Sequence, residues 1–429
     1  IDQAVVGLMD PAHGPYVHRQ WWWRTAGSEH DKEKRFEPRD EGFSMVPLHG
    51  GAVKFRLAQF RPATTNNPET LDTYAKMRVR VMRQVHYSAK HPNKALDLVL
   101  FVNGIPVATG EVKTELTQSV EDAIEEYRTE RKPVEPGTRR RNYLLEYRRG
   151  AVVHFAISED EIWMCTNLSG DSPRFLPFNR GTDDGHAGNP PAEDGDYRTF
   201  YFWAQVLQRD NWLHIFQSFV FEEVSKKEDA TGRMRERRTQ IFPRFHQWDA
   251  VTRMLADVRA NGAGQRYLIE HSAGSGKTLS ICWLADRLHG LFKPGSNEKL
   301  VDRVIVLSDR KALDKNIRDE LANFSHLKEV VGLARTSAEL ERFLKQQTSI
   351  IVTTQQKFAW LLERIEADPQ LKALRVAFLI DEAHRSQEGQ MGAAIRLPFR
   401  DPQTPDEDDA GNEDEEDKLA RIIREHDRN

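Results

Sequence analysis

Two cysteines, Cys165 and Cys282, are all the thiols in a chain of 429 residues. Two thiols cannot form a disulfide framework or a four-ligand zinc site, which points to a reducing compartment. They read instead as small buried hydrophobes. Long apolar runs are also missing. None approaches the roughly 18 residues that a membrane span needs, so no membrane partner is expected. The sequence opens on Ile1, and nothing near it has the basic, apolar, small-residue order of a secretion signal, so a cytoplasmic location is expected. No internal repeat is visible.

The balance of 39% hydrophobic and 30% charged residues is that of a folded soluble chain, and the length exceeds one ordinary core. Net charge is -4, but residues 401–417 hold ten acidic residues and no Lys or Arg, so the remainder carries +6. A mildly basic body is compatible with a phosphate-backbone partner without establishing one. The acidic run reads as a solvated insertion or tail.

Residues 1–95 are weakly patterned, with QWWWR at 20–24 and an amphipathic stretch near 68–86. Packing within a domain is the ordinary reading of the three tryptophans. Residues 96–113 are two β-rich runs around Asn103-Gly104, a hairpin signal. Residues 118–131 then place Val120, Ala123, Ile124 and Tyr127 at helical spacing. Further strands are expected at 151–158 and 161–167, where His154 reads as a satisfied core residue, with a long Gly/Pro/Asp loop at 181–196. The segment 225–240 has almost no apolar residues and is the best boundary. Beyond it strands at 266–270, 304–308, 350–354 and 376–380 alternate with helices from about 277, at 311–323 and at 355–366, which implies a parallel sheet covered on both faces. The expected fold is therefore α/β, divided into 1–224, a charged linker 225–240, a second domain 241–400 and an acidic tail 401–429.

HSAGSGKT at 271–278 carries the clearest chemistry. Backbone N–H groups of Gly274, Ser275 and Gly276 wrap phosphates, Lys277 reaches the β- and γ-phosphates, and the Thr278 hydroxyl ligates magnesium. His271 stands where the strict pattern has Gly. LIDEAHRS at 379–386, 104 residues after Lys277, ends an apolar strand at Asp381, which would hold the magnesium, while Glu382 would orient the attacking water. The two segments call for ATP and Mg2+. The DEAH tetrapeptide with His384 points to a nucleic-acid motor.

Asp97, Glu111 and Lys113 fit D-x(n)-E-x-K, in which two carboxylates hold magnesium beside a phosphodiester and a lysine orients water or stabilises charge. As a pattern this is weak, because exposed acids and lysines are ordinarily just solvated. Geometry supplies a condition. A regular hairpin with a two-residue Asn103-Gly104 turn sets Asp97 opposite Gly110 and away from Glu111. A three-residue loop, or one bulge near Pro106, brings Asp97 opposite Glu111.

These segments in this order resemble the motor and nuclease R subunit of type I restriction enzymes, a superfamily 2 translocase with an N-terminal PD-(D/E)xK nuclease domain. The similarity runs over about residues 60–425 and includes FLPFN at 175–179. It implies a mixed nuclease sheet flanked by helices, followed by one RecA-like motor domain. It also implies ATP-driven translocation and cleavage of duplex DNA, with modification and specificity subunits as partners. FPRFHQWDAV at 242–251 is similar to the family's adenine-recognising segment, with Gln247 on the adenine edge. LSDRKALDKNI at 307–317 and VTTQQKF at 352–358 resemble its DNA-backbone motifs, placing Arg310, Thr353 and Thr354 near phosphates. The family's helix after the lysine strand carries Gln and Tyr; here Tyr127 is present, Gln118 lies at the helix start, and Glu126 replaces Gln. A further acidic ligand is left open among Glu29, Glu37 and Glu69. Nothing after Ser386 resembles the family's Thr-Ala-Thr-Pro segment, and the second RecA-like domain with its arginine finger is not in the sequence. The expectation is an N-terminal portion that binds ATP but turns it over slowly. Two other classes stay open: a repair or phage-defence helicase whose first domain binds DNA without cutting it, and an ATP-dependent switch indifferent to DNA.

Overall fold

A computed structural model describes residues 58–381 apart from 89–90, 115–117, 139, 183, 193–195, 229–233, 273, 309–329, 347, 355–360, 362–363 and 365–366, together with short strand pieces at 38–39, 42–45 and 55–56. The tryptophans at 21–23, the expected helix at 311–323, that at 355–366 apart from the helical Leu361 and Arg364, and the acidic run lie outside the described residues. The chain divides into two compact units, Ile1–Asp249 and Ala250–Asn429.

The first unit is built on a six-stranded mixed sheet. After helix α1 (Pro68–Ala75), strands β1 (Val79–His86), β2 (Ala95–Val102) and β3 (Ile105–Val112) run as an antiparallel meander. Helix α2 (Val120–Thr129) carries the chain across to β4 (Val153–Ile157), which pairs parallel to β3. Strands β5 (Ile162–Cys165) and β6 (Leu176–Pro177) complete the order β1-β2-β3-β4-β5-β6. All five residues of β4 are buried, as a strand covered on both faces requires. On one face lie Val120, Ala123, Ile124 and Tyr127 of α2, the four residues that the helical spacing singles out. On the other, Phe155 meets Phe178, Phe202, Trp212 and Phe242 in mostly edge-to-face or tilted contacts. Helix α3 (Arg209–Ser218) supplies Trp212.

Of residues 225–240, expected as a linker, 225–228 and 234–240 belong to an antiparallel ribbon of β7 (Phe221–Glu228) and β8 (Met234–Ile241). Its base is fastened to the rest of the first unit, where the Thr166 hydroxyl donates to the Gln240 carbonyl at 2.9 Å and Tyr147 donates to the Arg238 carbonyl at 3.1 Å. Helix α4 (Phe245–Asn261) follows.

The second unit contains helix α5 (Lys277–His289), strand β9 (Arg303–Ser308), strand β10 (Val331–Leu333), helix α6 (Ser337–Lys345), strand β11 (Ile350–Thr354) and strand β12 (Val376–Ile380). Every pairing in the sheet β10-β11-β9-β12 is parallel. Val304, Ile305, Val306 and Leu307 are fully buried, as expected for a central parallel strand. One expectation is corrected: residues 266–270 form no strand. Leu268 is 81% exposed, and the Tyr267 hydroxyl is held by Asp257 of α4, which turns this short run toward the helix instead of onto the sheet.

Candidate active sites

The hairpin of β2 and β3 decides where the first set of polar residues goes. Its turn is the two-residue Asn103-Gly104, with both residues left-handed (φ 48° and 82°). Val102 pairs with Ile105 and Phe101 with Pro106, but Leu100 pairs with Ala108, so Val107 is an extra residue. Proline tolerates this place because a bulge needs no ladder N–H there. The Val107 carbonyl instead accepts from Val152 N–H at 2.9 Å. Beyond the bulge Leu98 faces Gly110, and one more step sets Asp97 against Glu111. The bulge near Pro106 that the nuclease pattern needs is therefore present.

Asp97 is held by neutral donors. Gln84 Nε2 donates to Oδ1 at 2.8 Å and Val112 N–H to Oδ2 at 2.9 Å. Gln84 itself is left-handed within β1 (φ 51°), a conformation that costs a non-glycine residue energy and that concentrates at functional positions. Glu111 is held by a cation. It is 1% exposed, and its Oε1 accepts from Arg131 Nε at 2.6 Å. Burial pushes its carboxyl up to about 8, opposed by the adjoining guanidinium. Glu111 Oε2 is buried and has no hydrogen-bond partner among the described residues.

Lys113, two residues on and so on the same face as Glu111, donates from Nζ to Glu126 Oε2 at 2.6 Å. Burial pulls its ammonium down, but Glu126 and the nearby carboxylates leave it raised. Arg131 also binds Glu126 through Nη2. Glu126 thus makes the helix contact with the lysine strand, where the family pattern calls for Gln. Beneath these groups runs a buried polar chain. The Tyr127 and Thr109 hydroxyls lie 2.8 Å apart, and Thr109 Oγ1 is 2.7 Å from His154 Nδ1. Burial raises the Tyr127 phenol and lowers His154 to about 3, so the histidine is a neutral core residue with a partner. Cys165 and Cys282 are buried and form no disulfide.

The residues present fit a divalent cation. An unpaired carboxylate oxygen in a buried position is a ligand without its partner, and each oxygen of Asp97 retains a lone pair after its single hydrogen bond. Two carboxylates suit magnesium, which keeps most of its waters. Among the described residues no cluster of three or more His, Cys, Asp or Glu side chains adds to them. Sequence reasoning missed Gln84 and Arg131. A glutamine inside a strand and an arginine among glutamates at a helix end carry no local signal.

In the second unit, α5 begins at Lys277 directly after Gly276, whose φ is 86°, and Gly274 has φ 75°. A Cβ at Gly274 would meet nothing within 4 Å, so conformation and not space demands glycine there. Successive N–H groups turning into a helix N-terminus make an anion cradle, so these residues fit a nucleotide's phosphates. Ser275 is buried and Thr278 opens the second position of α5. Strand β12 ends at Ile380, and Asp381, 6% exposed, donates its N–H to the Leu307 carbonyl at 2.9 Å. It stands at the carboxyl end of the parallel sheet beside Ser308, the edge where α/β sheets bind ligands. Thr353 is fully buried and donates to the Ala334 carbonyl at 3.1 Å, while its neighbour Thr354 is also buried. In the first unit Gln247 is 3% exposed, and its Oε1 accepts from Arg244 N–H at 2.9 Å. Arg310, Glu382 and His384 lie outside the described residues.

A nuclease-like mixed sheet followed by a P-loop ATPase-type parallel sheet is the class that this fold defines. Residues 64–173 match the family model for the type I restriction enzyme R protein N terminus, and residues 246–403 match that for the SWI2/SNF2 ATPase. A type I restriction enzyme endonuclease subunit from Staphylococcus saprophyticus is 34% identical over 160 residues, covering 37% of this chain and 16% of that protein. A putative one from Methanocaldococcus jannaschii is 23% identical over 378 residues, 82% of this chain and 33% of its own length. A Mycoplasma pneumoniae protein, described as the C-terminal part of a putative type I restriction enzyme endonuclease subunit, is 35% identical over 164 residues and is covered to 76%. The chain belongs to the endonuclease (R) subunits of type I restriction systems. It spans a third or less of the length of the first two relatives. Among the described residues no helix is long and apolar enough to cross a membrane.

Proposed function

We propose that this chain supplies the DNA-cleaving and ATP-binding portions of a restriction translocase acting on duplex DNA together with modification and specificity subunits. The observation that carries the nuclease half is the bulged register that sets Asp97 against Glu111 while Glu111 Oε2 stays unpaired. Asp97 and Glu111 would hold Mg2+, which when bound supplies Lewis-acid stabilisation of the scissile phosphate and an activated water. Lys113, anchored by Glu126, faces the same space and stabilises the negative charge that develops on the phosphate as water attacks. Tyr127, Thr109 and His154 keep the floor of the site dry and rigid.

In the motor half, Gly274, Ser275, Gly276 and Lys277 would bind the phosphates of ATP, Thr278 and Asp381 its magnesium, and Gln247 the adenine, with Glu382 orienting water. Arg310, Thr353 and Thr354 complete the reading as DNA-backbone contacts. The buried Thr353 hydroxyl, already bonded to Ala334, supports a role in shaping the strand end more than a direct one. The reading divides the chain into a nuclease domain 1–224, a charged connection 225–240, a motor domain 241–400 and the acidic segment 401–429.

The test is Mg2+-dependent cleavage of plasmid DNA by the parent chain and by Lys113→Ala and Asp97→Ala variants. Both substitutions are expected to lower cleavage by about a hundredfold to a thousandfold, as loss of a principal charge-stabilising group does, with ATP binding unchanged. Undiminished nicking by Lys113→Ala would return the first domain to a DNA-binding module that does not cut.

A further inference from the structure

We infer that Arg131, which no sequence pattern singles out, is the positioning residue of the nuclease site: one buried guanidinium fixes both the metal-facing carboxylate and the lysine. This rests on the nuclease reading above. Arg131 lies just beyond α2, and its side chain is 9% exposed. Its Nε takes Glu111 Oε1 at 2.6 Å, and its Nη2 takes Glu126 Oε1. The second oxygen of Glu126 takes Lys113 Nζ at 2.6 Å. The order Glu111, Arg131, Glu126, Lys113 is thus an unbroken chain of charge-assisted bonds joining β3 to α2 and back to β3.

Two consequences follow from the geometry. By occupying Oε1 alone, Arg131 leaves Oε2 as the single free oxygen of a buried carboxylate, which fixes the atom that Glu111 can offer a cation. By holding one oxygen of Glu126, it fixes where the other sits and hence where Lys113 is held. A planar fork with donors at set angles can satisfy two carboxylates at once, which the compact ammonium of lysine does not reproduce. Arg131 also explains why α2 tolerates Glu126 in place of an uncharged glutamine: the added negative charge is matched by the guanidinium. Outer residues that orient metal ligands are commonly worth about 10–100-fold in metal affinity or activity.

The experiment uses Mn2+ as the probe, its binding to the full chain followed by electron paramagnetic resonance, alongside plasmid cleavage and thermal unfolding. Arg131→Met is expected to weaken Mn2+ binding at least tenfold and to lower cleavage at least as much. Arg131→Lys, which keeps the buried charge, is expected to restore the melting temperature but not the Mn2+ affinity, an outcome that a purely structural role would not give. Glu126→Ala is expected to lower cleavage tenfold or more while Mn2+ affinity stays within twofold of the parent, because it releases Lys113 and leaves Glu111 on Arg131. Mn2+ binding that is unchanged or tighter in both Arg131 variants would overturn the proposal, since the arginine would then only neutralise Glu111. Should Arg131→Met fail to fold, the Lys and Glu126 variants decide alone. If Asp97→Ala leaves the parent's Mn2+ binding intact, the nuclease reading fails and this inference with it. If Asp97→Ala abolishes binding while the Arg131 variants keep it, this inference alone fails.

Discussion

The two sheets arrange their chemistry by opposite means. In the first unit the polar groups of the proposed nuclease site are gripped by other side chains: Gln84 on Asp97, Arg131 on Glu111, Glu126 on Lys113. In the second, the proposed phosphate cradle is made of backbone, through left-handed glycines, a helix that starts at Lys277 and a strand that ends before Asp381. A site built from side chains is tuned by neighbours far away in sequence. One built from backbone is written in a short contiguous run. The difference predicts which substitutions each unit tolerates.

In the second unit the largest effect should come from breaking the backbone cradle. Gly276→Val forces a β-branched residue to φ 86°, a region it strongly disfavours, and ATP affinity should fall about a hundredfold while cleavage of DNA by the first unit in the absence of ATP is untouched. Equilibrium binding of a fluorescent ATP analogue measures it, and near-parental affinity would mean that the cradle does not need its glycines.

Acid should separate the units next. His154 is buried and neutral, with burial lowering it from an ordinary 6.5 to about 3. Between those values the unfolded chain binds a proton that the folded chain does not, so the first unit loses stability as pH falls from about 6.5 toward 3. At pH 5 the loss amounts to about 2 kcal/mol. Comparing the unfolding of the parent with that of His154→Gln at pH 7 and pH 5 isolates this contribution from the other acids. The variant should show the smaller drop, and equal drops would show that His154 takes up its proton in the fold.

The smallest effect tests the neutral grip. Gln84→Ala removes one of two donors on Asp97 and should reduce cleavage about tenfold, the scale of a hydrogen bond to a charged group. Intact cleavage would leave Val112 N–H as sufficient support and the left-handed backbone at Gln84 without a catalytic purpose.

Legibility in the sequence followed the same divide. The glycine turn into α5 could be read from eight consecutive residues, and α2 from the spacing of Val120, Ala123, Ile124 and Tyr127, because both signals are local. The run 266–270 looked like a strand by composition, but strand formation needs a partner, and the Tyr267 bond to Asp257 places the segment elsewhere. Asp97, Glu111 and Lys113 were recognisable as a pattern, yet their supports were not. Arg131 is 20 residues from Glu111 in sequence and Gln84 is 13 from Asp97, and only the fold brings them together.

The extra residue Val107 gives the first unit a property that side-chain chemistry does not. It is buried, its carbonyl is taken by Val152 N–H, and nothing about its own side chain enters the site. What matters is that it counts. If the same residues ran from the Asn103-Gly104 turn as a regular ladder with no bulge, Asp97 would come to face Gly110, and Glu111 would lie on the other side of the sheet. The position is therefore permissive to exchange among residues that fill the same space, whereas a one-residue slip of β3 along β2 separates the two carboxylates. In this hairpin the register of the two strands, more than the identity of Val107, holds the two carboxylates in phase.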